Sequence, residues 1–180
     1  MINEASTFLK KGGVIICPTD TVYGFLADAS NKKAVDKIYK IKRRPKSKPL
    51  PVFVKDLKMA KELAEISGEQ AKILKKFWPG KYTFRLKRRP GVKLYGLDKK
   101  TIAIRIPNHS FLKKLLKQVD NPLVQTSVNV SGQSTLNKIS DIINEFGKSD
   151  ILIINGGNLK KSKSSKIVDL TGNKIKTLRR

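Results

Sequence analysis

Residues 12 to 24 read Gly-Gly-Val-Ile-Ile-Cys-Pro-Thr-Asp-Thr-Val-Tyr-Gly, a short apolar run that two glycines open and a proline closes. Four successive apolar residues between such breakers predict a buried β-strand over 14 to 17. The hydroxyls of Thr19 and Thr21 follow on the turn after this strand. Because α/β sheets bind ligands where their strands end, the stretch predicts an α/β fold with a polar site at this turn.

A second polar segment, Lys-Arg-Arg-Pro-Lys-Ser-Lys-Pro-Leu, occupies 42 to 50. Apolar residues at helical spacing before it predict a helix that Ser30 caps and that Pro45 prevents from continuing. The helix dipole favours cations at such an end, which alone could account for Lys42 and Arg43. Together with the hydroxyls of the first turn, the cations of 42 to 50 predict a site for phosphate and polar ligand groups.

The rest of the chain alternates between strand and helix patterns. Strands are predicted at 51–54, 82–87, 101–106, 123–126, 151–154, 167–170 and 175–178, with helices after Asp56, after a Ser67/Gln70 capping box, after Ser110 and around 142–146. In the strand at 101–106 three isoleucines share one face, so Arg105 projects from the other. Thr-Ser-Val-Asn-Val-Ser-Gly at 126 to 132 forms a second hydroxyl-rich strand exit.

Composition sets the size and charge of the molecule. The chain has 180 residues, 39% of them hydrophobic, which is enough for one domain, 1–180, with a core of its own. Its 39 Lys and Arg residues against 14 Asp and Glu residues give a formal charge of +25, which attracts polyanions such as RNA. Lysines are spread over the whole length, so most of them are expected to be solvated surface residues.

Cysteine and histidine usage excludes several classes of site. Cys17 is the only cysteine and His109 the only histidine, which excludes a disulfide framework and a Cys/His zinc site and fits a reducing compartment. No signal peptide or membrane span is recognisable, so the expected location is the cytoplasm. A Cys17/His109 catalytic pair is open on spacing, although Cys17 ends an apolar strand and is expected to be a small buried residue.

The polar motifs restrict the chemistry. The sequence has neither a GxxxxGK(S/T) loop nor a GxGxxG turn after a strand. Asp20 is the only carboxylate in either motif, which argues against the paired carboxylates of a glycosidase. Cations and hydroxyls together act by orienting reactants and stabilising negative charge as it develops. The motifs therefore favour phosphate or adenylate chemistry without a side-chain nucleophile.

Five motifs resemble, in order, the YrdC-like threonylcarbamoyl-AMP synthases in their short, single-domain form: PTDTVYG at 18–24, KRRPKSKPL at 42–50, FWPGKYTF at 77–84, AIRIPNH at 103–109 and TSVNVSG at 126–132. The resemblance implies a YrdC-like α/β fold, with a twisted open mixed sheet flanked by helices and a basic concave face. It also implies synthesis of threonylcarbamoyl-AMP and pyrophosphate from L-threonine, bicarbonate and ATP, with Mg²⁺ bridging the phosphates and no metal ligand among the protein side chains. The product supplies the N6-threonylcarbamoyl group at adenosine 37 of tRNA.

The same resemblance implies roles for individual residues. The catalytic cations would be Lys42 and Arg44, and the ATP-binding residues would be Arg44, Lys48, Thr101, Asn129 and Arg179. The threonine-binding residues would be Thr21, Arg105, Ser127 and Ser165. Phe53 stands where many relatives have a histidine on the threonine side, and a phenyl ring cannot hydrogen-bond there.

Two other functions remain open from the sequence. A non-catalytic module that binds duplex RNA or tRNA would suit the charge of +25, although no strand carries the aromatic side chains of an RRM. A relative in another carbamoyl-transfer pathway is less favoured, because the KxR pattern at 42–44 and the SxN pattern at 127–129 are intact. The leading function implies L-threonine, bicarbonate and ATP as partners, with tRNA or other RNA, downstream tRNA threonylcarbamoyl-transferase proteins and no membrane.

Overall fold

The structure, a computed structural model, describes residues 1–160, 162, 164–172 and 175–179, and of Arg179 the backbone alone. Its helices are α1 (Ile2–Lys10), α2 (Lys32–Ile41), α3 (Leu57–Leu63), α4 (Gly68–Phe77), α5 (Ser110–Val119) and α6 (Ile139–Phe146). Its strands are β1 (Ile15–Cys17), β2 (Gly24–Asp28), β3 (Val52–Phe53), β4 (Ala64–Glu65), β5 (Tyr82–Arg88), β6 (Thr101–Arg105), β7 (Leu123–Ser127), β8 (Leu152–Ile153), β9 (Lys166–Asp169) and β10 (Lys176–Arg179).

The strands form one mixed sheet in the order β10-β9-β5-β6-β3-β7-β2-β1-β8, and β4 pairs with β5 off this path. The pairs β1/β8, β3/β6 and β5/β9 are parallel, and the other neighbours are antiparallel. The predicted α/β fold with a mixed sheet and flanking helices is therefore confirmed. The basic concave face stays a prediction.

The core lies on both faces of this sheet. On β1, Ile15 and Cys17 pack with Leu9 of α1 and the leucines of α5, whereas Ile16 packs with Ile38 of α2 in the larger core cluster. A strand covered on both faces needs apolar side chains at every position, which explains the unbroken run at 14 to 17. Gly12, which leads into this run, has φ +84°, a left-handed conformation that favours glycine.

Helix caps were partly predicted. Asp56 accepts from the backbone of Met59, and Ser67 forms a reciprocal capping box with Gln70, as expected. The assignment of Ser30 as the cap of α2 was wrong: the side chain of Asn31 accepts from the backbone of Ala34, and α2 begins one residue later than Ser30 would require. The Ser30 hydroxyl instead donates to Asp28 at 2.7 Å.

Three elements were not predicted from the sequence: α1, β2 and the two-residue strand β4, which follows α3 directly at Ala64, a residue expected in the helix after Asp56. Helix α1 has no side-chain cap at its first residue, so no start signal marks it. Strand β2 is buried at all five positions, begins with a glycine and ends with an aspartate, so it shows no alternation. It nevertheless lies between β1 and β7 in the sheet, because both of its edges find antiparallel partners.

Strand pairing fixes the relative positions of three distant segments. Gly24 lies opposite Ser127 in the β2/β7 pair, and Phe53 lies opposite Arg105 in the β3/β6 pair. Because β3 pairs in parallel with β6 and antiparallel with β7, the end of β6 lies beside the start of β7, whereas Ser127 and the turn before β2 lie towards the other end of these strands. The turn before β2 reaches the end of β6 through a side chain, since Asp20 forms an ion pair with Arg105. Over the described residues, no helix has the length and apolar character that a bilayer crossing requires.

Candidate functional site

A cavity of about 340 Å³ lies between the turn before β2 and the residues of β6 and β7. Its wall is made by Thr21, Val22, Arg44, Pro49, Leu50, Pro51, Arg85, Leu97, Asp98, Thr101, Ile102, Ala103, Arg105, Gln125, Thr126, Ser127, Ser164, Ser165, Ile167 and Leu178. Thr101, Ala103 and Arg105 alternate along β6 with Ile104, which belongs to the larger core cluster. The cavity therefore occupies the face of β6 from which Arg105 was predicted to project.

The turn before β2 is held by its own hydroxyls. Thr19 Oγ1 donates to the carbonyl of Val22 at 2.7 Å and accepts from the backbone nitrogens of Thr21 and Val22 at 3.0 and 3.2 Å. The two threonine hydroxyls are 3.0 Å apart. Because the single hydrogen of Thr19 goes to Val22, Thr21 is the donor between them and keeps a lone pair for the cavity. Thr19 thus fixes the turn, and Thr21 faces the ligand space.

Arg105 is buried, with 1% of its surface exposed. Its Nε donates to the carbonyl of Gly80 at 2.8 Å, its Nη2 donates to Asp20, and its Nη1 reaches Thr21 Oγ1 at 3.4 Å. Asp20 is fixed in turn, since its second oxygen accepts from the backbone of Asn108 at 3.1 Å. Burial lowers the pKa of the guanidinium and Asp20 opposes that shift. Arg105 is therefore a fixed donor at the cavity wall, with its charge balanced by a carboxylate.

Phe53 packs against this arginine. Its ring is buried, and the ring centroid lies 5.5 Å from Cζ of Arg105. At that distance the ring attracts the cation through its π-electron face. Phe53 therefore supports Arg105 and offers no hydrogen bond of its own.

Lys42 ends α2 and is 2% exposed. Its Nζ donates to the carbonyls of Ser127 and Asn129 at 2.5 and 2.8 Å and to Asn129 Oδ1 at 2.9 Å. Burial, with a smaller effect of the Arg44 charge, lowers the pKa of Lys42 to about 8. Lys42 is not among the residues that line the cavity. The structure places this predicted catalytic cation against the SxN segment, where it fixes the backbone.

Ser127 and Asn129 differ in their exposure to the cavity. Ser127 lines it and donates from Oγ to Asn129 Oδ1 at 2.7 Å. The amide nitrogen of Asn129 donates to the carbonyls of Val130 and Gln133 at 3.0 and 2.8 Å. Every polar atom of the Asn129 side chain is thus engaged within its own loop or by Lys42. The structure places Ser127 in the cavity and Asn129 outside its lining.

Arg44 and Lys48 lie on the loop before β3. Arg44 lines the cavity and donates from Nε to the carbonyl of Lys48 and from Nη2 to that of Pro49, both at 3.1 Å. No carboxylate among the described residues forms an ion pair with Arg44. The side chain of Lys48 is exposed and lies outside the lining. Arg44 therefore brings an uncompensated positive charge to the cavity.

Two further predicted residues lie in the wall. Thr101 Oγ1 donates to Asp98 at 3.1 Å. Ser165 is buried, and its hydroxyl is 2.9 Å from that of Thr83, while nearby Ser162 donates to the carbonyl of Thr21 at 2.5 Å. The side chain of Arg179 lies outside the described part of the chain.

Five polar residues of the wall were not predicted: Arg85, Asp98, Gln125, Thr126 and Ser164. The alternating pattern of 82–87 does separate Arg85 from Phe84, but nothing in it shows which face borders a cavity. The backbone nitrogens of Lys100 and Thr101 lower the pKa of Asp98 by hydrogen-bonding to its carboxylate. The signal that could have drawn attention to Asp98 is its position three residues before a strand, where an aspartate often caps a turn.

The open alternative of a cysteine nucleophile does not fit the structure. Cys17 is fully buried in the core, and burial raises the pKa of its thiol. A buried protonated thiol is unreactive, so Cys17 acts as a small apolar residue. In the part of the chain that is described, no three His, Cys, Asp or Glu side chains are grouped as metal ligands.

Several known proteins are similar to this chain in sequence and in fold. A family model for Sua5/YciO/YrdC, described as "Telomere recombination", matches residues 7–180. A putative threonylcarbamoyl-AMP synthase of Methanocaldococcus jannaschii is 39% identical over 176 residues, which are 96% of this chain and 83% of that protein. E. coli YciO superposes with a TM-score of 0.89 at 30% identity, over 99% of this chain and 88% of the other.

The structure of P. abyssi Sua5 complexed with L-threonine superposes with a TM-score of 0.88 at 30% identity, over 99% of this chain. The matched region is 53% of that protein, so the chain spans about half the length of this relative. Sequence and structure agree over nearly all of the chain, which belongs to the Sua5/YciO/YrdC family.

Proposed function

We propose that this protein synthesises threonylcarbamoyl-AMP from L-threonine, bicarbonate and ATP, with release of pyrophosphate, for N6-threonylcarbamoyladenosine formation at position 37 of tRNA. The observation that carries the proposal is that two arginines of one cavity, Arg44 and Arg105, differ in whether a carboxylate balances their charge. Arg105 is paired with Asp20, and Arg44 has no carboxylate partner among the described residues. Threonylcarbamoyl-AMP synthases and a threonine-bound Sua5 among the relatives support it.

The threonine end would be the corner formed by Thr21, Arg105 and Ser127. Gly80 and Asp20 take two hydrogens of the Arg105 guanidinium, so three of its five remain for Thr21 and for a substrate carboxylate. The hydroxyls of Thr21 and Ser127 offer partners for the amino acid's polar groups. Because the Arg105–Asp20 pair is neutral as a whole, this corner suits a zwitterion better than a polyphosphate.

The phosphate end would be formed by Arg44, with Lys48 closing from the same loop. The substrate amine and bicarbonate give a carbamate and water, and a carbamate oxygen then attacks the α-phosphorus while the bond to pyrophosphate breaks. Arg44 would stabilise the charge that develops on the phosphate oxygens. Mg²⁺ would enter bound to ATP, because Asp98 is the only carboxylate of the described wall and one of its oxygens already accepts from Lys100 and Thr101.

Lys42 would act as a positioning residue and would not contact the reacting groups. Its contacts to Ser127 and Asn129 fix the backbone that presents the Ser127 hydroxyl to the cavity. Asn129 and Arg179 stay proposed ATP contacts, and Ser165 a proposed threonine contact, on the strength of the sequence motifs.

The test is pyrophosphate release by the purified protein with Mg·ATP and bicarbonate. We expect release to depend on L-threonine and to be small with glycine, which lacks the side-chain hydroxyl. Release at the same rate without an amino acid would contradict the proposal. Arg44→Gln should raise the ATP requirement more than the threonine requirement.

A second candidate function is RNA binding, which the formal charge of +25 favours. It is compatible with catalysis, since the enzyme would then meet tRNA and the downstream transferase proteins that consume its product. We also propose that the protein is located in the cytoplasm, where it would meet tRNA, and that residues 1–180 form one domain. Retention of the chain on immobilised tRNA, compared with a DNA duplex of equal length, tests whether RNA is preferred.

A further inference from the structure

Arg85 is a cavity arginine to which the sequence motifs give no role. It lies on β5 opposite Ala103 of β6 and beside Asp169 of β9. This register places its side chain on the cavity face of the sheet, where it lines the same space as Arg44 and Arg105. The side chain is 40% exposed, so a ligand in the cavity can reach it.

Its guanidinium is held in a defined orientation. Nε donates to Thr101 Oγ1 at 3.1 Å, and Nη1 donates to Asp169 Oδ2 at 3.3 Å. Both acceptors are themselves fixed, Thr101 by Asp98 and Asp169 by Thr171. Among the described residues these two bonds take two of the five hydrogens of Arg85, so the remaining hydrogens and the flat face of the group can meet a ligand.

The surroundings of Arg85 differ from those of Arg44. Arg44 is bonded only to carbonyls, so its charge suits a polyphosphate. Arg85 has the carboxylate of Asp169 as a partner, and Asp98 stands on the other side of Thr101. Two carboxylates repel phosphates, but they can accept from ribose hydroxyls. A guanidinium plane beside them can stack on a purine.

The two arginines also reach the cavity from different sides. Arg85 belongs to β5, on one side of β6, whereas the loop of Arg44 leads into β3 on the other side. From this arrangement we propose that Arg85, with Thr101 and Asp98, binds the nucleoside half of the nucleotide, while Arg44 binds its phosphates. The proposal rests on the proposed function only in taking the ligand to be an adenine nucleotide.

The test compares ATP, ADP and AMP binding by titration calorimetry on the full chain. For Arg85→Gln we expect affinity to fall about tenfold, by the same factor for all three nucleotides, because the contact is common to them. For Arg44→Gln the loss should be large for ATP and small for AMP. Arg89→Gln is the matched control, since Arg89 is exposed and bonds the carbonyl of Lys61 outside the cavity.

Two results would overturn the assignment. A loss for ATP several times larger than for AMP in Arg85→Gln would place Arg85 on the phosphates, and unchanged affinity for all three would remove it from the site. If Arg85→Gln does not fold, Arg85→Lys keeps the charge but not the planar fork, and the same equal loss is expected. A purely structural role would lower thermal stability without producing this equal loss across the three nucleotides.

The outcome is separable from that of the proposed function, because nucleotide binding requires neither threonine nor bicarbonate. Equal losses in Arg85→Gln without threonine-dependent pyrophosphate release by the unaltered protein would support the Arg85 contact and contradict the synthase activity. Threonine-dependent pyrophosphate release by the unaltered protein, together with unchanged nucleotide affinities in Arg85→Gln, would support the synthase activity and contradict the Arg85 contact.

Discussion

At the scale of single residues, the cavity separates charge that is balanced from charge that is free. Arg105 is buried and bonded to Asp20, whose side chain is 9% exposed, so the substrate carboxylate would meet oriented hydrogens and little net charge. Arg44 is held by carbonyls and keeps its full charge. This difference is the physical basis for assigning the amino acid to one residue and the phosphates to the other.

Arg105→Lys tests that assignment. Lysine keeps the charge but cannot bond Gly80, Asp20 and a substrate carboxylate with one planar group. We expect the threonine KM to rise at least about tenfold, equivalent to about 1.4 kcal/mol, with the ATP KM nearly unchanged. Steady-state kinetics with each substrate varied in turn gives both values. An equal rise in both constants would mean that Arg105 supports the whole fold rather than the threonine corner.

Lys42 makes stability depend on pH in a predictable direction. Its pKa is about 8 in the folded chain against an ordinary value of 10.5, so the unfolded chain holds this proton more tightly. The free energy of unfolding contributed by Lys42 is therefore lowest below pH 8 and rises as pH increases from 8 to 10.5. The full rise is at most about 3 kcal/mol.

Urea unfolding of the unaltered chain and of Lys42→Met across this range measures the effect. We expect the stability difference between the two to grow in favour of the unaltered chain as pH rises. Lys40→Met, at an exposed position of the same helix, should show no such trend. A difference that stays constant from pH 7 to 10.5 would show that Lys42 has an ordinary pKa.

At the scale of elements, α2 carries the cation segment into position, and its start is set by Asn31. Asn31→Ala removes the acceptor for the backbone of Ala34 and should cost about 1 kcal/mol of stability. Asn31→Asp, which keeps an oxygen acceptor, should retain most of it. Thermal unfolding of both variants, with Ser30→Ala beside them, distinguishes the two possible caps. A larger loss in Ser30→Ala than in Asn31→Ala would restore Ser30 as the cap.

Elements with a local signal were predictable, and those without one were not. The isoleucine alternation at 101–106 and the capping box at Ser67 involve residues that are close in sequence. Strand β6 and helix α4 are both present, as these patterns predicted. Strand β2 depends on partners from both sides, β1 and β7, and its own residues carry no period. Its place in the sheet is a consequence of tertiary pairing, which local patterns do not contain.

At the scale of the whole molecule, the site is a product of topology. Asp20 and Arg105 are far apart in sequence, and their ion pair joins the turn before β2 to the end of β6, although β3 and β7 lie between these strands in the sheet. The motifs predicted that cations and hydroxyls would form the site. Partners such as Asp20 for Arg105 and Asp169 for Arg85 could be seen only once the sheet order was known.

The charge of +25 also belongs to this scale. If the basic surface binds RNA, affinity should fall about a hundredfold or more between roughly 50 and 200 mM salt, because each phosphate contact releases a counterion. Filter binding with tRNA over that range measures the slope. ATP turnover depends on contacts inside a cavity and should change much less. A salt-independent RNA affinity would contradict a binding surface made of dispersed lysines.

The fate of the bicarbonate carbon tests most directly whether the chain synthesises threonylcarbamoyl-AMP. The protein is incubated with Mg·ATP, L-threonine and ¹³C-bicarbonate, and the nucleotide products are analysed by mass spectrometry. If the chain synthesises threonylcarbamoyl-AMP, we expect a product that contains AMP, threonine and one labelled carbon, formed together with pyrophosphate and absent when threonine is omitted. A nucleotide product without the label, or pyrophosphate released without any threonine adduct, would contradict it.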